Sequence, residues 1–279
     1  MEFLVNKKRL ATIGLLCAFA FSALMLASCG NSENNNEAVN AEGEQKTFTI
    51  GMDDAYPPYG FRNDAGEITG FDVDLAKEVA KRNGWDFKAE TIDWDAKDQM
   101  IDSGSISCIW NGFTQEGREE NYTFSEPYML NKQVLVVKVD SGINDIAGLA
   151  GKNVETQVDS AALEVLKGDQ KEIGDSFKEL AEIPEYNTAF MDLESGACDA
   201  VACDLSIAQY QMAAKPDMFK MLDPALSEEH YAVACKKGNT ELADTITKTL
   251  KEMYEDGTVT EISKKYEEYG LSMENWLIK

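Results

Sequence analysis

The stretch GFDVDLAKEVAKRNG, residues 70–84, has the clearest secondary-structure signal in the chain. Asp72 suits the N-cap of a helix, and Gly84 suits the residue that follows a helix. Between them, apolar side chains recur at the spacing that places them on one helix face: Leu75, Ala76, Val79 and Ala80. We therefore predict an amphipathic helix over residues 72–83.

Strand-like runs flank this helix at residues 48–52 and 87–92. The alternation of strand-like and helix-like runs continues to the end of the chain. Further strands are predicted at residues 106–111, 133–139, 152–157, 198–204 and 231–237. Further helices are predicted at residues 96–102, 160–167, 188–195, 205–214, 240–256 and 259–269. Strands separated by helices of about 8–15 residues are typical of βαβ units with mostly parallel sheets. We predict an α/β fold, and the two series of elements indicate two lobes.

The charge balance excludes one class of partner. The 279 residues include 26 Lys and Arg against 50 Asp and Glu, a formal net charge of −24, and 44% are hydrophobic, as in ordinary globular proteins. A nucleic-acid-binding protein needs a basic surface to displace counterions from phosphates. The one short basic run is Lys7, Lys8 and Arg9. Nucleic acid is therefore excluded as a partner.

The N-terminus has the layout of an export signal. The short basic run precedes an uncharged stretch at residues 10–26, and small residues follow. Leu26-Ala27-Ser28-Cys29 resembles the lipobox of bacterial lipoproteins, which implies a signal peptide at residues 1–28 and a lipid on Cys29. The alternatives are a retained membrane helix and a secreted protein in which Cys29 is incidental. Residues 29–46 are polar, which favours a flexible tether. We expect a lipid-anchored protein on the cell membrane that faces outside the cytoplasm, extracellular or periplasmic.

The remaining cysteines favour a structural role. Each lies in an apolar, strand-like run: Cys108, Cys198, Cys203 and Cys235. An exported protein can form disulfides, and this question stays open, but scattered cysteines of this kind are more typical of small buried side chains. Because no CxxC and no nearby His accompany them, we expect neither a metal site nor a cofactor.

Catalytic motifs are lacking. The single histidine, His230, lies in a Glu-rich turn and is interpreted as a surface residue. There is no GxSxG elbow, Walker loop or GxGxxG. Asp72 and Asp74 are explained by helix capping and the helix dipole rather than by a metal. We do not expect an enzyme.

The residues instead suit a small zwitterion. A carboxylate is bound well by an arginine, hydroxyl donors and free backbone N–H groups, and Arg118 follows the strand end at residues 111–114. An ammonium group needs a fixed carboxylate, and Asp204 ends a predicted strand. Tyr56 and Trp94 lie in loops after strands and could enclose a ligand, because α/β proteins bind ligands at the carboxyl ends of their strands.

At this point the chain resembles the family 3 solute-binding proteins of bacterial ABC importers, which bind amino acids. The core of the resemblance is Gly70-Phe71-Asp72-Val73-Asp74-Leu75, and it extends from residue 47 to the C-terminus. Further motif matches are Asp53-x-x-Tyr56-x-Pro58-Tyr59, Trp94-Asp95, Gly112-Phe113-Thr114, Phe124-Ser125-Glu126-Pro127-Tyr128 and Ser195-Gly196-x-x-Asp199-Ala200-x-x-x-Asp204.

The resemblance implies a type II periplasmic-binding-protein-like fold, with two lobes, two hinge crossings and a ligand cleft between the lobes. Lobe 1 would comprise residues 47–131 and 227–279, and lobe 2 residues 132–226. The mechanism would be lobe closure around the ligand.

The resemblance also assigns roles to individual residues. The Gly112 N–H, Thr114 and Arg118 would hold the α-carboxylate, and Asp204 would bind the α-ammonium. The other implied ligand-binding residues are Asp53, Tyr56, Trp94, Asn111 and Ser160. Two departures concern the carboxylate site: Thr114 and Arg118 are one residue closer than is usual in the family, and Asp159 and Ala161 replace a usual Gly and a usual hydroxyl residue.

The implied function is capture of an amino acid and its delivery to an ABC permease. Asp53 favours a polar or cationic side chain over an acidic one. We expect a monomer. Two alternatives remain at this stage: a catalytic relative such as a cyclohexadienyl or arogenate dehydratase, and a sensor that contacts a receptor.

Overall fold

The computed structural model describes residues 46–279. The predicted signal peptide, the lipidation site Cys29 and the tether, except for its last residue, lie outside this range. Within it, no helix combines the length and the apolar character that a membrane crossing requires.

The described residues form strands and helices that alternate along the chain. The strands are β1 Thr47–Met52, β2 Ala55–Tyr56, β3 Gly60–Arg62, β4 Ile68–Thr69, β5 Asp86–Thr91, β6 Cys108–Ile109, β7 Tyr122–Phe124, β8 Met129–Lys138, β9 Asn153–Gln157, β10 Glu179–Ile183, β11 Ala200–Asp204, β12 Phe219–Met221, β13 Ser227–Tyr231 and β14 Ala234–Lys236. The α-helices are α1 Phe71–Arg82, α2 Lys97–Ser103, α3 Ala161–Lys167, α4 Lys171–Ser176, α5 Tyr186–Ser195, α6 Leu205–Ala214, α7 Thr240–Glu255 and α8 Thr258–Ser263.

Eleven of these strands form two main sheets that pack against helices, and β2, β3 and β4 form a small third sheet. The first has the order β5-β1-β6-β14-β7, and the second has the order β10-β9-β11-β8-β12, with β13 also paired to β8. In each main sheet three strands are parallel, and the others are antiparallel to their neighbours. The expectation of mostly parallel sheets is therefore correct for one half of each sheet only. The chain passes from the first sheet to the second between β7 and β8, and it passes back between β13 and β14. These crossings add the antiparallel strands to both sheets.

Helix α1 occupies the predicted stretch, but its N-terminus differs from the prediction. The N-cap is Gly70, whose φ of 141° is accessible to glycine, and a Cβ there would lie 2.1 Å from the carbonyl oxygen of Tyr59. Asp72 lies inside the first turn, is fully buried and caps nothing. Its Oδ2 accepts hydrogen bonds from the Gly112 N–H at 2.6 Å and from the Tyr128 hydroxyl at 2.7 Å. The prediction of an N-cap at Asp72 is wrong, because this carboxyl group turns inward and ties the helix to the first sheet.

The two crossings between the sheets lie side by side. Strands β8 and β13 pair antiparallel, with Glu229 opposite Asn131 and Ser227 opposite Gln133. The Glu-rich segment that we interpreted as a turn is therefore a strand, and the predicted strand at residues 231–237 is divided into the end of β13 and β14. Because side chains alternate across a strand, Glu229 and Tyr231 are buried while Glu228 is exposed.

The cysteines behave as predicted. Cys108, Cys198, Cys203 and Cys235 are all buried and free. They pack among the apolar side chains of one core cluster that includes Phe48, Val79 and Val201. A small hydrophobic role accounts for them.

Candidate functional site

A narrow cavity of about 20 Å³ lies between the two sheets. It is lined by all the predicted site residues except Asp53 and Asn111, and by two further residues: Tyr56, Trp94, Gly112, Thr114, Arg118, Gln157, Ser160, Ala161 and Asp204. Most of these follow strand ends, which is why strands distant in sequence bring them together.

Arg118 is the positive group of the cavity. It is 5% exposed, and its guanidinium carbon lies 4.5 Å from the centre of the Phe113 ring. On the far side of the cavity, Glu164 of α3 accepts from its Nε at 3.2 Å and from its Nη2 at 2.9 Å. The Asp159 carbonyl oxygen also accepts from Nη2, at 3.3 Å. The arginine thus contacts the Phe113 ring on its own side of the cavity and polar groups on the other side.

A second cation lies at the same edge. The Lys97 ammonium is 3.3 Å from Asp159 Oδ2 and lies over the Trp94 ring. Burial is the main cause that lowers the pKa of Lys97, and Asp159 acts in the opposite direction. Asp159 has a φ of 53°, the backbone conformation that glycine adopts most readily. This agrees with the observation that a glycine is usual here.

The two donors predicted to bind a carboxylate ligand, the Gly112 N–H and the Thr114 hydroxyl, are bonded to carboxylates of the protein. The Gly112 N–H, predicted to meet a carboxylate, donates to Asp72 at 2.6 Å. A Cβ at Gly112 would lie 3.0 Å from the rings of both Tyr231 and Tyr56, so glycine is needed there for close packing as well as for its φ of 55°. The Thr114 hydroxyl donates to Glu229 Oε1 at 2.8 Å. Thr114 lies opposite Tyr231 in a short antiparallel bridge. The backbone hydrogen bonds of this bridge are donated by the Gln115 N–H to His230 and by the Ala232 N–H to Phe113, so the Thr114 N–H takes no part in them.

Asp204 lies at the end of β11 as predicted, and it has an acidic neighbour. Its Oδ1 accepts from Asn131, Gln133 and the Tyr231 hydroxyl at 2.8, 2.6 and 2.9 Å. The same two amide groups donate to Glu229 Oε1 at 2.7 Å each. Asp204 and Glu229, which we call the carboxylate pair, are 5% and 2% exposed. Burial raises the pKa of both carboxyl groups, that of Glu229 to about 7 with the charge of Asp204 as the next cause.

Aromatic rings form the walls of the cavity. The Tyr56 hydroxyl is 3.0 Å from that of Tyr231, and its ring packs against Tyr186 at 6.2 Å between centroids. Trp94 packs edge-on against Phe113 at 5.8 Å. Tyr56 belongs to the short strand β2 and Trp94 begins a 3₁₀ turn, whereas both were predicted in loops. Both line the cavity, and each is held by a second ring.

Asp53 and Asn111 lie behind the cavity lining. Asp53 Oδ2 accepts from Gln157 Nε2 at 2.7 Å, and its Oδ1 accepts from the Ala55 N–H at 2.8 Å. Burial raises the pKa of Asp53, and these two hydrogen bonds oppose that rise. Asn111 Oδ1 accepts from the Asp53 N–H at 3.0 Å. Asn111 thus holds the backbone of Asp53 and lies outside the lining.

Ser160 begins α3. Its hydroxyl oxygen accepts from the Leu163 N–H at 3.2 Å, which makes it the N-cap, and it lies 3.1 Å from the Thr156 hydroxyl. The helix start therefore faces the cavity, as the sequence indicated.

Sequence reasoning missed several polar residues of this region. Gln157 ends β9, and the strand-end rule that found Asp204 could have found it. Glu229 shows the two-residue alternation of a strand, which a run of acidic residues obscured. Lys97 and Glu164 have no sequence signal, because a charged residue on a helix is usually solvated.

Metal chemistry has no support in this region. Within residues 46–279 no group of His, Cys, Asp and Glu side chains is arranged to hold a metal ion. His230 is partly exposed, and its Nδ1 lies 2.6 Å from Glu116, in agreement with the surface role predicted for it.

Three comparisons place the chain among known proteins. It is 29% identical to the L-cystine-binding protein TcyJ of Escherichia coli strain K12, over 94% of this chain and 97% of that protein. It is 31% identical to the ABC transporter glutamine-binding protein GlnH of Bacillus subtilis strain 168, over 93% and 97%. Among solved structures, an ABC uptake transporter substrate-binding protein from Streptococcus pneumoniae with bound histidine superposes with a TM-score of 0.76 at 32% identity, and covers 79% of this chain and 92% of that one.

These relatives are binding proteins rather than enzymes, and the match to the solved structure confirms the two-lobed type II fold. The sequence profile of one extracytoplasmic family matches residues 48–269, which is most of the described chain. The chain belongs to the bacterial extracellular solute-binding proteins, family 3.

Proposed function

We propose that the cavity binds one free amino acid, which the protein captures outside the cytoplasm and delivers to an ABC permease. The observation that carries this proposal is that one small cavity is lined by a buried arginine and a buried aspartate, Arg118 and Asp204. An α-amino acid has a carboxylate and an ammonium group on one carbon, and both charges need a partner once water is removed.

The carboxylate would be held by lobe 1. Arg118 donates charge-assisted hydrogen bonds, and the Thr114 N–H adds a backbone donor. Phe113 supports the guanidinium from behind, 4.5 Å from its ring centre. The N-terminus of α3 at Ser160 faces the same end of the cavity and would favour a negative charge there.

The ammonium would lie against Asp204. Gly112 lines the same cavity, and its carbonyl oxygen would be a second acceptor for the ammonium. The fixed positions of the arginine and the aspartate would select the α-amino acid group rather than a simple carboxylate or amine.

The side chain of the ligand would pass between Tyr56 and Trp94 towards Gln157 and Asp53. An amide oxygen, an amide N–H and a carboxylate meet there, which favours a polar or cationic side chain and disfavours an acidic one. The names of the three relatives mention cystine, glutamine and histidine, none of which has a side chain with a net negative charge, whereas a further relative from Corynebacterium efficiens is named as a glutamate-binding protein.

Closure would join residues 47–131 and 227–279, which we assign to lobe 1, with residues 132–226, which we assign to lobe 2. Contacts across the cavity support this: Gln157 with Asp53, Glu164 with Arg118, and Asp159 with Lys97. Because Asp204 and Arg118 come from different lobes, a ligand held by both favours the closed state.

The location of the protein follows the same proposal. Cys29 would carry the lipid, residues 29–46 would connect it to the folded part, and the protein would work as a monomer without a cofactor and without enzymatic activity. Labelled fatty acid should be incorporated into the wild type and not into Cys29→Ser, which should be released from the membrane.

The main test is a thermal-shift screen of the twenty amino acids on the purified chain, followed by calorimetry of those that raise the Tm. We expect the largest rise with a polar or cationic amino acid. A largest rise with Glu or Asp would overturn the side-chain preference. No rise with any amino acid, together with product formation from prephenate or arogenate, would overturn the proposed function.

A further inference from the structure

The carboxylate pair contains one more buried acid than the binding of a zwitterion needs. Asp204 alone supplies the negative partner for an ammonium group, whereas Glu229 adds a second buried acid. Both are at least nine-tenths buried. Among residues 46–279, no lysine, arginine or histidine forms an ion pair with either of them.

The geometry brings the two acids together through shared donors. Asn131 Nδ2 donates to Asp204 Oδ1 at 2.8 Å and to Glu229 Oε1 at 2.7 Å. Gln133 Nε2 donates to the same two oxygens at 2.6 and 2.7 Å. Two acceptor oxygens that share both amide groups are close neighbours. Two negative charges at this separation, away from water, repel strongly.

Hydrogen bonds from Asn131, Gln133 and Tyr231 oppose this repulsion, but the other ionisable groups nearby add no positive charge. The ionisable groups that act on the pair are Tyr56, Tyr59, Tyr186, Tyr231 and Cys203, and each has its pKa raised well above the ordinary value by burial, which keeps it neutral. Thr114 adds a hydroxyl donor. The charged neighbours on β13 and β8 face away: Glu228 pairs with Lys132, and His230 pairs with Glu116.

We infer that Asp204 and Glu229 together hold one proton, and that an ammonium group arriving at Asp204 releases it. This inference rests on the proposed function. The carboxyl O–H bond of the pair breaks, the proton leaves to solvent, and the ligand's positive charge takes its place beside two carboxylates. Glu229 is thus a positioning residue for the ammonium site, and it acts through Asp204 and the two shared amides. The raised pKa of Glu229, about 7, agrees with one proton held near neutral pH.

Proton release is measurable directly. Calorimetry of the full chain with L-glutamine and with L-arginine, whose side chains do not titrate between about pH 5.5 and 8, should be run in two buffers of different ionisation enthalpy. Near pH 6 the wild type should release up to about one proton per amino acid bound, and near pH 8 almost none. Its affinity should weaken about tenfold for each pH unit below the pKa of the pair, which is the limit for one linked proton.

Two variants on the same strand separate the inference from a general effect of charge. Glu229→Gln keeps the shape and the hydrogen bonds but cannot share a proton with Asp204, so its binding should release none and should lose the pH dependence. Glu228→Gln removes an exposed neighbouring charge and should behave as the wild type does. Binding near pH 6 without proton release in the wild type overturns the inference and leaves the proposed function intact, and so does undiminished release in Glu229→Gln.

A measurement without ligand tests the held proton by itself. The pKa of Glu229 is raised from 4.5 to about 7 in the folded state, so the stability due to its proton is present below the unfolded pKa and is lost as pH rises through 7. The unfolding free energy of the wild type relative to Glu229→Gln should therefore fall between about pH 5 and pH 8. A constant difference overturns the held proton. If no amino acid binds, the proposed function and the coupled release fail together, and this measurement still decides whether the pair is protonated.

Discussion

Arg118 and Asp204 combine charge, burial and opposite positions in one cavity, so they should dominate binding. Removing either leaves the facing charge of a bound amino acid without a partner, which costs about 3–5 kcal/mol. We expect Arg118→Ala and Asp204→Ala each to raise the Kd by roughly 100-fold or more. Calorimetry measures the Kd, and circular dichroism checks that the fold is kept.

The controls for these variants remove exposed charges of the same sign. Lys77 lies on the exposed face of α1 and Asp217 lies on an exposed turn. Lys77→Ala and Asp217→Ala should keep the wild-type Kd within about twofold, because screened surface charges contribute little. A near-normal Kd in Arg118→Ala or Asp204→Ala would remove that residue from the site.

Gly112 should tolerate no side chain. Its φ of 55° costs an L-residue about 1 kcal/mol, and the Cβ would lie 3.0 Å from two tyrosine rings that are themselves buried. Gly112→Ala should lower the unfolding free energy by about 2–4 kcal/mol in urea denaturation. Gly142, whose φ is 75° with open space around it, isolates the backbone contribution. Gly142→Ala should cost about 1 kcal/mol, and an equal loss in both variants would exclude the packing explanation.

The site residues could be predicted to the extent that each follows a strand end in a recognisable motif. Tyr56, Trp94 and Asp204 are of this kind. Glu229 and Gln133 could not be predicted, because their importance comes from pairing between two crossings that are almost a hundred residues apart in sequence. The role of the Gly112 N–H was wrong because the competing acceptor, Asp72, belongs to a different element.

At the scale of elements, helices were predicted better than short strands. The apolar spacing of α1 and α7 identifies both helices to within about two residues. β7 and β12 have three residues each, and β10 is partly exposed, so neither length nor alternation distinguishes them from loops. Their existence depends on neighbouring strands that supply the hydrogen bonds. The sequence of a single short strand does not show which neighbouring strands provide these hydrogen bonds.

The first turn of α1 should make stability depend on pH. Burial raises the pKa of Asp72 from 3.8 to about 7, against the hydrogen bonds from Tyr128 and Gly112. The stability due to its proton is present below pH 3.8 and is lost as pH rises through 7, by at most about 4 kcal/mol. Relative to Asp72→Asn, the wild type should lose unfolding free energy between about pH 4 and pH 8.

Asp74, two residues away, provides the control for this prediction. It is partly exposed and pairs with Lys265 at 2.8 Å. Asp74→Asn leaves Asp72 intact and should retain the wild-type pH slope. An unchanged slope in Asp72→Asn, measured by urea denaturation across the same pH range, would show that Asp72 is ionised in the folded protein throughout.

At the scale of the whole molecule, the proposed closure would bring groups of lobe 1 and lobe 2 into contact around one cavity. In the proposed division, lobe 1 contributes the cations Arg118 and Lys97, and lobe 2 contributes Glu164 and Asp159. Glu229 lies on β13, and Asn131 and Gln133 of β8 donate to Asp204 at the end of β11. Under the proposed roles, the groups that would recognise the ammonium therefore lie beside the two crossings, and those that would recognise the carboxylate lie towards the cavity edge. A ligand that neutralises both ends therefore acts on the whole movement.

The Glu164–Arg118 contact should set how long the closed state lasts. Glu164 is about half exposed, so its pair with Arg118 is partly screened and contributes roughly 1 kcal/mol, about fivefold in rate. Under the proposed closure the contact would form after the ligand has met lobe 1, so Glu164→Ala should raise koff about fivefold and leave kon within twofold in stopped-flow measurements. Glu172→Ala, on the exposed face of the next helix, should change neither rate. If Glu164 instead competes with the ligand carboxylate for Arg118, Glu164→Ala will bind more tightly. The direction of the change in affinity therefore distinguishes a contact that stabilises the closed protein from one that the ligand has to displace.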